Sequence, residues 1–417
     1  MLYYEIKKVF SRGGSKIALV ILGVMIIAVV GFCINTSTWI NENGEEEKGF
    51  NAIRKLQEAK IEWSGLLTKE RISLVIEENK RIEATTEAMS DEVQQQNIAY
   101  GWKQGFMDIR NMINNSFCEF REYDYYRMNS LKATDAESFY TNRTATLKRW
   151  LNGEAEYSYS EKEKEYFVSQ YAKMKEPLYY EYMEGWNYFF EYSSTILMIM
   201  TIIIGVLIAS IFSCEKQLNA DSVFYTAYHG RGKAIIAKVK AGFIITTVIY
   251  WSTMLLYSYA IFGIYGVSGA GCRIQAADAW KSFYNITNFQ QYLIVMFGGY
   301  VGCIFMSTIT MLVSAKTKST VLAAIVPFIL IFAPSFLSFI NSRRLSEILG
   351  LLPDQLLQMN VAIKLFNVYE IGGKIVGAIT LLFGIYIVLT LVLQPVIFLV
   401  FQKREMQIID EHQMNIK

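Results

Sequence analysis

Residues 193–213 read SSTILMIMTIIIGVLIASIFS, with no Asp, Glu, Lys, Arg or His among them. A helix that crosses a bilayer needs about 20 apolar residues at about 1.5 Å each. Backbone polar groups in hydrocarbon must bond within their own segment, so this stretch is read as a spanning helix. Five other blocks read the same way: Ile17–Ile34, Ala241–Tyr265, Leu293–Val313, Val321–Ile340 and Ile375–Phe401. One such block is compatible with a buried core helix; six in one chain are not. The chain has 417 residues, 53% hydrophobic and 19% charged. It is expected to be an all-α polytopic membrane protein with six transmembrane helices, and an ordinary soluble enzyme is excluded. Pro327, Pro334 and Pro395 fall inside spans, where proline kinks a helix. The first block follows Lys7, Lys8, Arg12 and Lys16, as a signal peptide would. No small-x-small cleavage site follows Gly31-Phe32-Cys33-Ile34-Asn35, and Phe32 before Cys33 does not suit a lipoprotein site, so an uncleaved anchor is expected.

Orientation follows from Lys and Arg in the short connections. Residues 1–16 carry four basic residues against Glu5. Segment 214–240 carries Lys216, Arg231, Lys233, Lys238 and Lys240 against Glu215 and Asp221. The turn 314–320 has Lys316 and Lys318, and the tail 402–417 begins with Lys403 and Arg404. With six spans these four segments share one side, the cytoplasmic side of a cell membrane, and both termini lie there. Segments 36–192, 266–292 and 341–374 then lie outside. The charge divides accordingly: 36–192 holds 28 acidic and 20 basic residues, a balance of −8, while the chain as a whole stands at +2. The basic surplus flanks apolar blocks rather than forming one patch, so nucleic acid is not an expected partner.

Residues 36–192 are long enough for one domain between the first and second spans. Ile53, Leu56, Trp63 and Leu67 recur at helical spacing, and 52–100 is rich in Glu, Lys, Gln and Ile, so a mainly helical extracytoplasmic domain is expected. Its second half is dense in aromatics. Tyr179, Tyr182, Trp186 and Phe189 follow one another at spacings of a helix face just before the second span. Tyr and Trp favour the headgroup level, so these four are expected to anchor the chain at the membrane interface.

Much chemistry is missing. The two histidines, His229 and His412, both fall on the cytoplasmic side, so a Ser/His/acid triad outside has no base. No Cys/His or Asp/Glu cluster has metal-ligand spacing. Cys33 and Cys303 fall in spans and Cys214 at an inner edge; Cys118 and Cys272 are placed either to pair outside or to stay free. Gly230-Arg231-Gly232-Lys233 and Gly372-Gly373-Lys374 lack the Ser/Thr and upstream glycine of a phosphate-binding loop. The spans carry no ionisable group of the kind that ion-coupled carriers place at mid-membrane. No catalytic, cofactor or metal residue is therefore expected, and energy for any transport has to come from a partner.

Between the second and third spans the chain reads IFSCEKQLNADSVFYTAYHGRGKAIIAKVKAG, residues 211–242. A glutamate directly follows the span, and a glycine-flanked arginine precedes a basic entry into the next. This pattern resembles the corresponding loop of ABC-2 type export permeases, in which Phe-x-x-Glu ends the second span and Gly-Arg precedes a lysine entering the third. The glycine that often follows the glutamate in that family is replaced by Asn219-Ala220. Leu2, Tyr3, Ile6, Val9 and Phe10 on one helix face, with Lys7 and Lys8 on the other, resemble the family's interfacial elbow helix over 1–16. Leu345, Ile348, Leu351, Leu352, Leu356 and Leu357 resemble its short external helices over 341–374. The resemblance implies a permease subunit of an ATP-binding-cassette exporter in the lipid bilayer. A second permease subunit, identical or related, and a cytosolic ATPase would be its partners, with ATP held by the ATPase and no cofactor in this chain. Segment 214–240 would be the coupling loop, and Glu215, Asp221, Arg231, Lys233 and Lys238 its ATPase-facing residues. The alternative is a membrane-anchored sensor or assembly factor with a ligand-binding outer domain.

Overall fold

The computed structural model describes residues 1–217, 232–337, 339 and 343–414. Six helices among them are long and apolar enough to cross a membrane. They are α2 (Gly13–Thr36), α9 (Glu184–Ile208), α11 (Lys233–Tyr265), α12 (Asn288–Thr317), α13 (Thr320–Leu337) and α16 (Ala378–Met414). α1 (Leu2–Phe10) precedes them, and α10 (Cys214–Gln217) follows α9. The expected blocks all recur, with shifted ends. Burial separates an inner set from an outer one: 56%, 56% and 61% of the apolar window is buried in α9, α11 and α12, against 17%, 22% and 11% in α2, α13 and α16. The outer three keep wide apolar faces, as a lipid-facing helix does.

α9 and α13 approach closely because Gly205 has no side chain. A Cβ at that position would come within 2.4 Å of the Pro327 Cγ. A proline ring is fixed to its backbone and cannot swing aside. Gly205→Ala should therefore cost about 1–3 kcal/mol by overpacking. The expected readout is a lower melting temperature in detergent, with Gly31→Ala, which meets nothing within 4 Å, as the unaffected control.

Between α2 and α9 the chain forms a lobe of α3 (Phe50–Glu62), α4 (Lys69–Glu83), α5 (Val93–Gly101), α6 (Met107–Phe117), α7 (Phe139–Asn152) and α8 (Glu161–Ala172). Capping marks the starts: Thr68 accepts from the Arg71 backbone N–H, and Ser160 with Glu163 closes a reciprocal capping box. A short hairpin of β1 (Thr38–Ile40) and β2 (Glu46–Lys48) opens the lobe, and an antiparallel pair of β3 (Gly65–Leu66) and β4 (Tyr179–Tyr180) joins its early and late parts.

The lobe is built from more than 36–192. Buried Arg143 donates from Nε to the Trp280 carbonyl at 3.1 Å and from NH2 to the Ser282 carbonyl at 2.9 Å, capturing the connection between α11 and α12. Ser282 Oγ in turn donates to the Ile363 carbonyl at 2.7 Å. Phe120, Leu147, Trp150 and Phe167 of the lobe share one core with Phe283, Phe366 and Val368 from the two later connections. Three connections thus meet at one end of the helices, while α1, α10 and the first turn of α11 meet at the other.

The stretch 341–374, expected as short external helices, is helical only in part. α14 (Arg343–Leu349) and α15 (Met359–Ala362) flank a 3-10 turn over Pro353–Gln358, and the chain then forms a hairpin of β5 (Val368–Ile371) and β6 (Lys374–Gly377). Gly372 and Gly373 turn it with φ of 56° and 79°, the two positive values that a tight hairpin turn requires. The last span consequently starts at Ala378 rather than Ile375.

Candidate functional site

The end of the bundle away from the lobe holds four buried or half-buried charges from three elements. α1 supplies Glu5 and Lys8, one turn apart; Glu215 follows the turns that end α9; Lys238 stands in the second turn of α11. Lys8 Nζ lies 2.7 Å and Lys238 Nζ 2.6 Å from the Glu215 Oε1. The same two lysines lie 3.0 Å and 3.2 Å from the Glu5 Oε2. Lys238, fully buried, also donates to the Ile211 carbonyl at 2.7 Å, satisfying an acceptor left over at the end of α9. Arg12 NH2 sits 2.8 Å from the Cys214 Sγ, and Ser15 Oγ donates to the Val9 carbonyl, so the elbow is tied down along its length.

Two acids and two bases balance. Burial by itself would raise the Glu215 carboxyl, but the Lys238 and Lys8 ammonium groups outweigh it and hold the carboxyl below its ordinary value. Burial would likewise lower Lys8, and Glu215 with Glu5 outweighs it, leaving the ammonium above its ordinary value. Mechanically the quartet is a joint binding the elbow, the end of α9 and the start of α11. Both roots of the segment between α10 and α11 are held by it.

Of the residues expected to face an ATPase, the structure brings Glu215 and Lys238 together and turns them inward. Glu215 is only 9% exposed, because two ammonium groups draw its carboxylate into the joint. It does not present itself to a soluble partner. Lys8, from the polar face of α1, joins Glu215 and Lys238 with 27% of its side chain exposed. Lys233 is exposed at the first residue of α11. Asp221 and Arg231 lie outside the described residues.

The interfacial anchors are also corrected. Tyr179 is half exposed in β4, but Tyr182, Trp186 and Phe189 are 1%, 3% and 0% exposed. Tyr179 and Tyr182 precede α9, so the four share no helix face. Trp186 Nε1 donates to the Ser268 carbonyl at 2.8 Å, and the Phe189 ring stacks on Tyr257 at 5.2 Å between centroids. The connection after α11 folds over these rings and takes the place that lipid headgroups were expected to hold.

A second charged joint went unread in the sequence. Lys60 on α3 is 4% exposed and pairs with Asp108 on α6 at 2.8 Å and with Glu184 at the start of α9. Tyr180 donates its hydroxyl to the Asp108 Oδ2 at 2.8 Å. Burial would lower the Lys60 ammonium, but the two carboxylates outweigh it and raise it above its ordinary value. One signal was available: Lys60 stands seven residues after Ile53, on the stripe that α3 buries.

Asp354, in the connection before the last span, is also buried, 2% exposed. Gln355 Nε2 and Gln358 Nε2 reach its Oδ2 at 2.9 Å and 3.3 Å, and Oδ1 has no partner among the described residues. Burial pushes its carboxyl up to about 6, with the Gln355 amide pulling the other way. The folded state therefore holds the proton more tightly than the unfolded chain, whose aspartates titrate near ~3.9. Stability should fall as pH rises from about 4 through about 6. Asp354→Asn should remove this slope and raise the melting temperature above pH 6, with no gain near pH 4; melting curves at three pH values check it.

The five cysteines are all free and buried, Cys118 and Cys272 included. No family model, curated protein or solved structure matches the chain.

Proposed function

We propose that the chain is the membrane-spanning permease subunit of an ATP-driven exporter, worked by a separate cytosolic ATPase through the segment between α10 and α11. The observation that carries this reading is the Glu5–Lys8–Glu215–Lys238 joint. It fixes both roots of that segment to the bundle, so a push on the segment reaches α9 and α11 together, and these are two of the three inner helices. An unpowered sensor has no need for so rigid a mounting at that end. A second copy or a related subunit would complete the pathway against the bare faces of the outer helices, with the lobe outside the cell.

The test is affinity purification of the full chain from its native membranes. The eluate should hydrolyse ATP, and Lys233→Cys, at an exposed position, should cross-link to the ATP-binding polypeptide. An eluate with no ATPase, from protein shown to be inserted and monodisperse, leaves the sensor or assembly-factor reading instead. Labelling from outside intact cells adds a second check, since Lys233 should be inaccessible.

A further inference from the structure

Beneath the lobe lies an elongated cleft in two chambers of about 590 Å³ and about 540 Å³. They share Asn187, Ala277, Asp278, Ala279 and Lys364, so the two chambers adjoin along one wall. One wall of the first chamber is a single face of α6, Asp108, Asn111, Met112 and Asn115, at the i, i+3, i+4, i+7 spacing of a helix. The second chamber runs down between the starts of α9 and α12, past Phe190, Glu191 and Gln291. Each chamber alone has the volume of an ordinary small-ligand site, about 300–1,000 Å³. Together they suit a linear ligand better than a compact one.

Gln291 is 3% exposed and lines this space, yet its carboxamide makes no hydrogen bond among the described residues. Gln291 is not among the enclosed side chains that lack a partner, so its amide opens onto the cleft and can pair with whatever fills it. Its amide is supplied with a partner when something polar occupies the cleft. Asn111, Asn115 and Asn187 also line the space, each with half of its amide already engaged: Asn111 Oδ1 accepts from the Tyr123 hydroxyl, Asn115 Nδ2 donates to the Asn111 carbonyl, and Asn187 Nδ2 donates to the Glu184 carboxylate. What remains is the donor of Asn111, the acceptors of Asn115 and Asn187 and both halves of Gln291, the two kinds of group that a peptide link pairs with. Between them stand Met112, Met183, Phe190 and Ile274, and methionine adapts to apolar groups of varied shape.

Charge does not select the ligand. Asp108 is already paired with Lys60, Asp278 with Lys364, and Lys281 donates to the Glu122 carbonyl. Glu191 at the lower end adds one negative charge, which disfavours acidic ligands. Of the rings on which a sugar could stack, Trp280 is 5% exposed and already packed on Phe139 at 5.0 Å, whereas Tyr123 in the first chamber is 48% exposed, so oligosaccharides are the competing ligand class.

We infer that this cleft binds an extended peptide segment through its row of carboxamides, with side chains accommodated by the methionine and phenylalanine surfaces between them. The inference deepens the exporter reading and rests on it only for the fate of the peptide once bound; the cleft itself needs no ATPase.

The test uses the purified full chain in detergent, immobilised, against two probe pools. One is random-sequence peptides of about ten residues, which extend at about 3.3 Å per residue; the other is maltooligosaccharides. Peptides should be retained about tenfold above empty micelles, a difference of about 1.4 kcal/mol. Asn187→Trp fills space where the two chambers adjoin, and Gln291→Leu removes the amide at similar size. Each should cut retention by about fivefold, the loss of one hydrogen bond, with melting temperature and elution volume unchanged. Should either fail to fold, Asn115→Leu in the first chamber serves in its place. Retention equal in wild type and folded variants overturns the inference, as does no peptide retention, or retention of the oligosaccharides instead. Peptide retention by a chain that brings down no ATPase would leave this inference standing and remove the exporter reading alone.

Discussion

Glu215→Lys should abolish the joint at the elbow end of the bundle. The exchange places three ammonium groups around a buried point where two carboxylates and two ammonium groups now balance. Removing one partner of a buried pair costs about 3–5 kcal/mol, and reversal adds repulsion to that loss. The measurement is yield of inserted, monodisperse protein together with its melting temperature. Glu215→Gln should cost less, because the amide still accepts one hydrogen bond. The combined exchange Glu215→Lys with Lys238→Glu discriminates a pair from a quartet. A simple pair would be restored by it; here Lys8 and Glu5 would each face a like charge, so the double variant should remain near the single one. Full recovery would show that the elbow takes no part. At any of these positions, loss of ATPase coupling has to be judged against loss of folding, which is why exposed Lys233 is the better probe of the partner surface.

Lys60→Met should be nearly as damaging at the other end. It leaves Asp108 and Glu184 with no cation between them, and both side chains are largely buried. A cost of about 3–5 kcal/mol is expected at neutral pH. Limited proteolysis should open the lobe first, since α3 and α6 lose their tie to α9 while the apolar helices remain inserted. Acidification should narrow the gap from wild type, because a carboxyl without its cation takes up a proton more readily. A gap that stays constant between pH 5 and pH 8 would assign the loss to lysine's hydrocarbon packing rather than to its charge.

The spans were legible because each is a run of apolar residues, a signal contained within one segment. The elbow helix and the helical character of the lobe were legible for the same reason. Whatever depended on segments distant in sequence was not. Trp186 and Phe189 carry the composition of a membrane interface, and nothing near them in sequence tells that Ser268 and its neighbours cover them. Lys60 meets Asp108 and Glu184 across 48 and 124 positions. Glu215 and Lys238 were singled out by resemblance; their pairing with each other was not, because an acid just beyond a span reads equally well as exposed. The hairpin at Gly372-Gly373 shows a local signal overruled by an apolar one: the glycine pair marks a turn, yet Ile375 and Val376 continue seamlessly into the hydrophobic run of the last span.

The tie between Lys60 and Glu184 has a geometric consequence. Glu184 is the first residue of a helix of 25 residues, a rod of about 37 Å at about 1.5 Å per residue. Glu215 lies just past the rod's opposite tip. A lever of that length pivoting by about 5° near Glu215 carries the Lys60 clamp sideways by about 3 Å, roughly the width of a hydrogen bond. The lobe has no slack tether on which to lag behind. A small tilt at one tip of the rod would thereby shift the clamp at the other by the width of one contact.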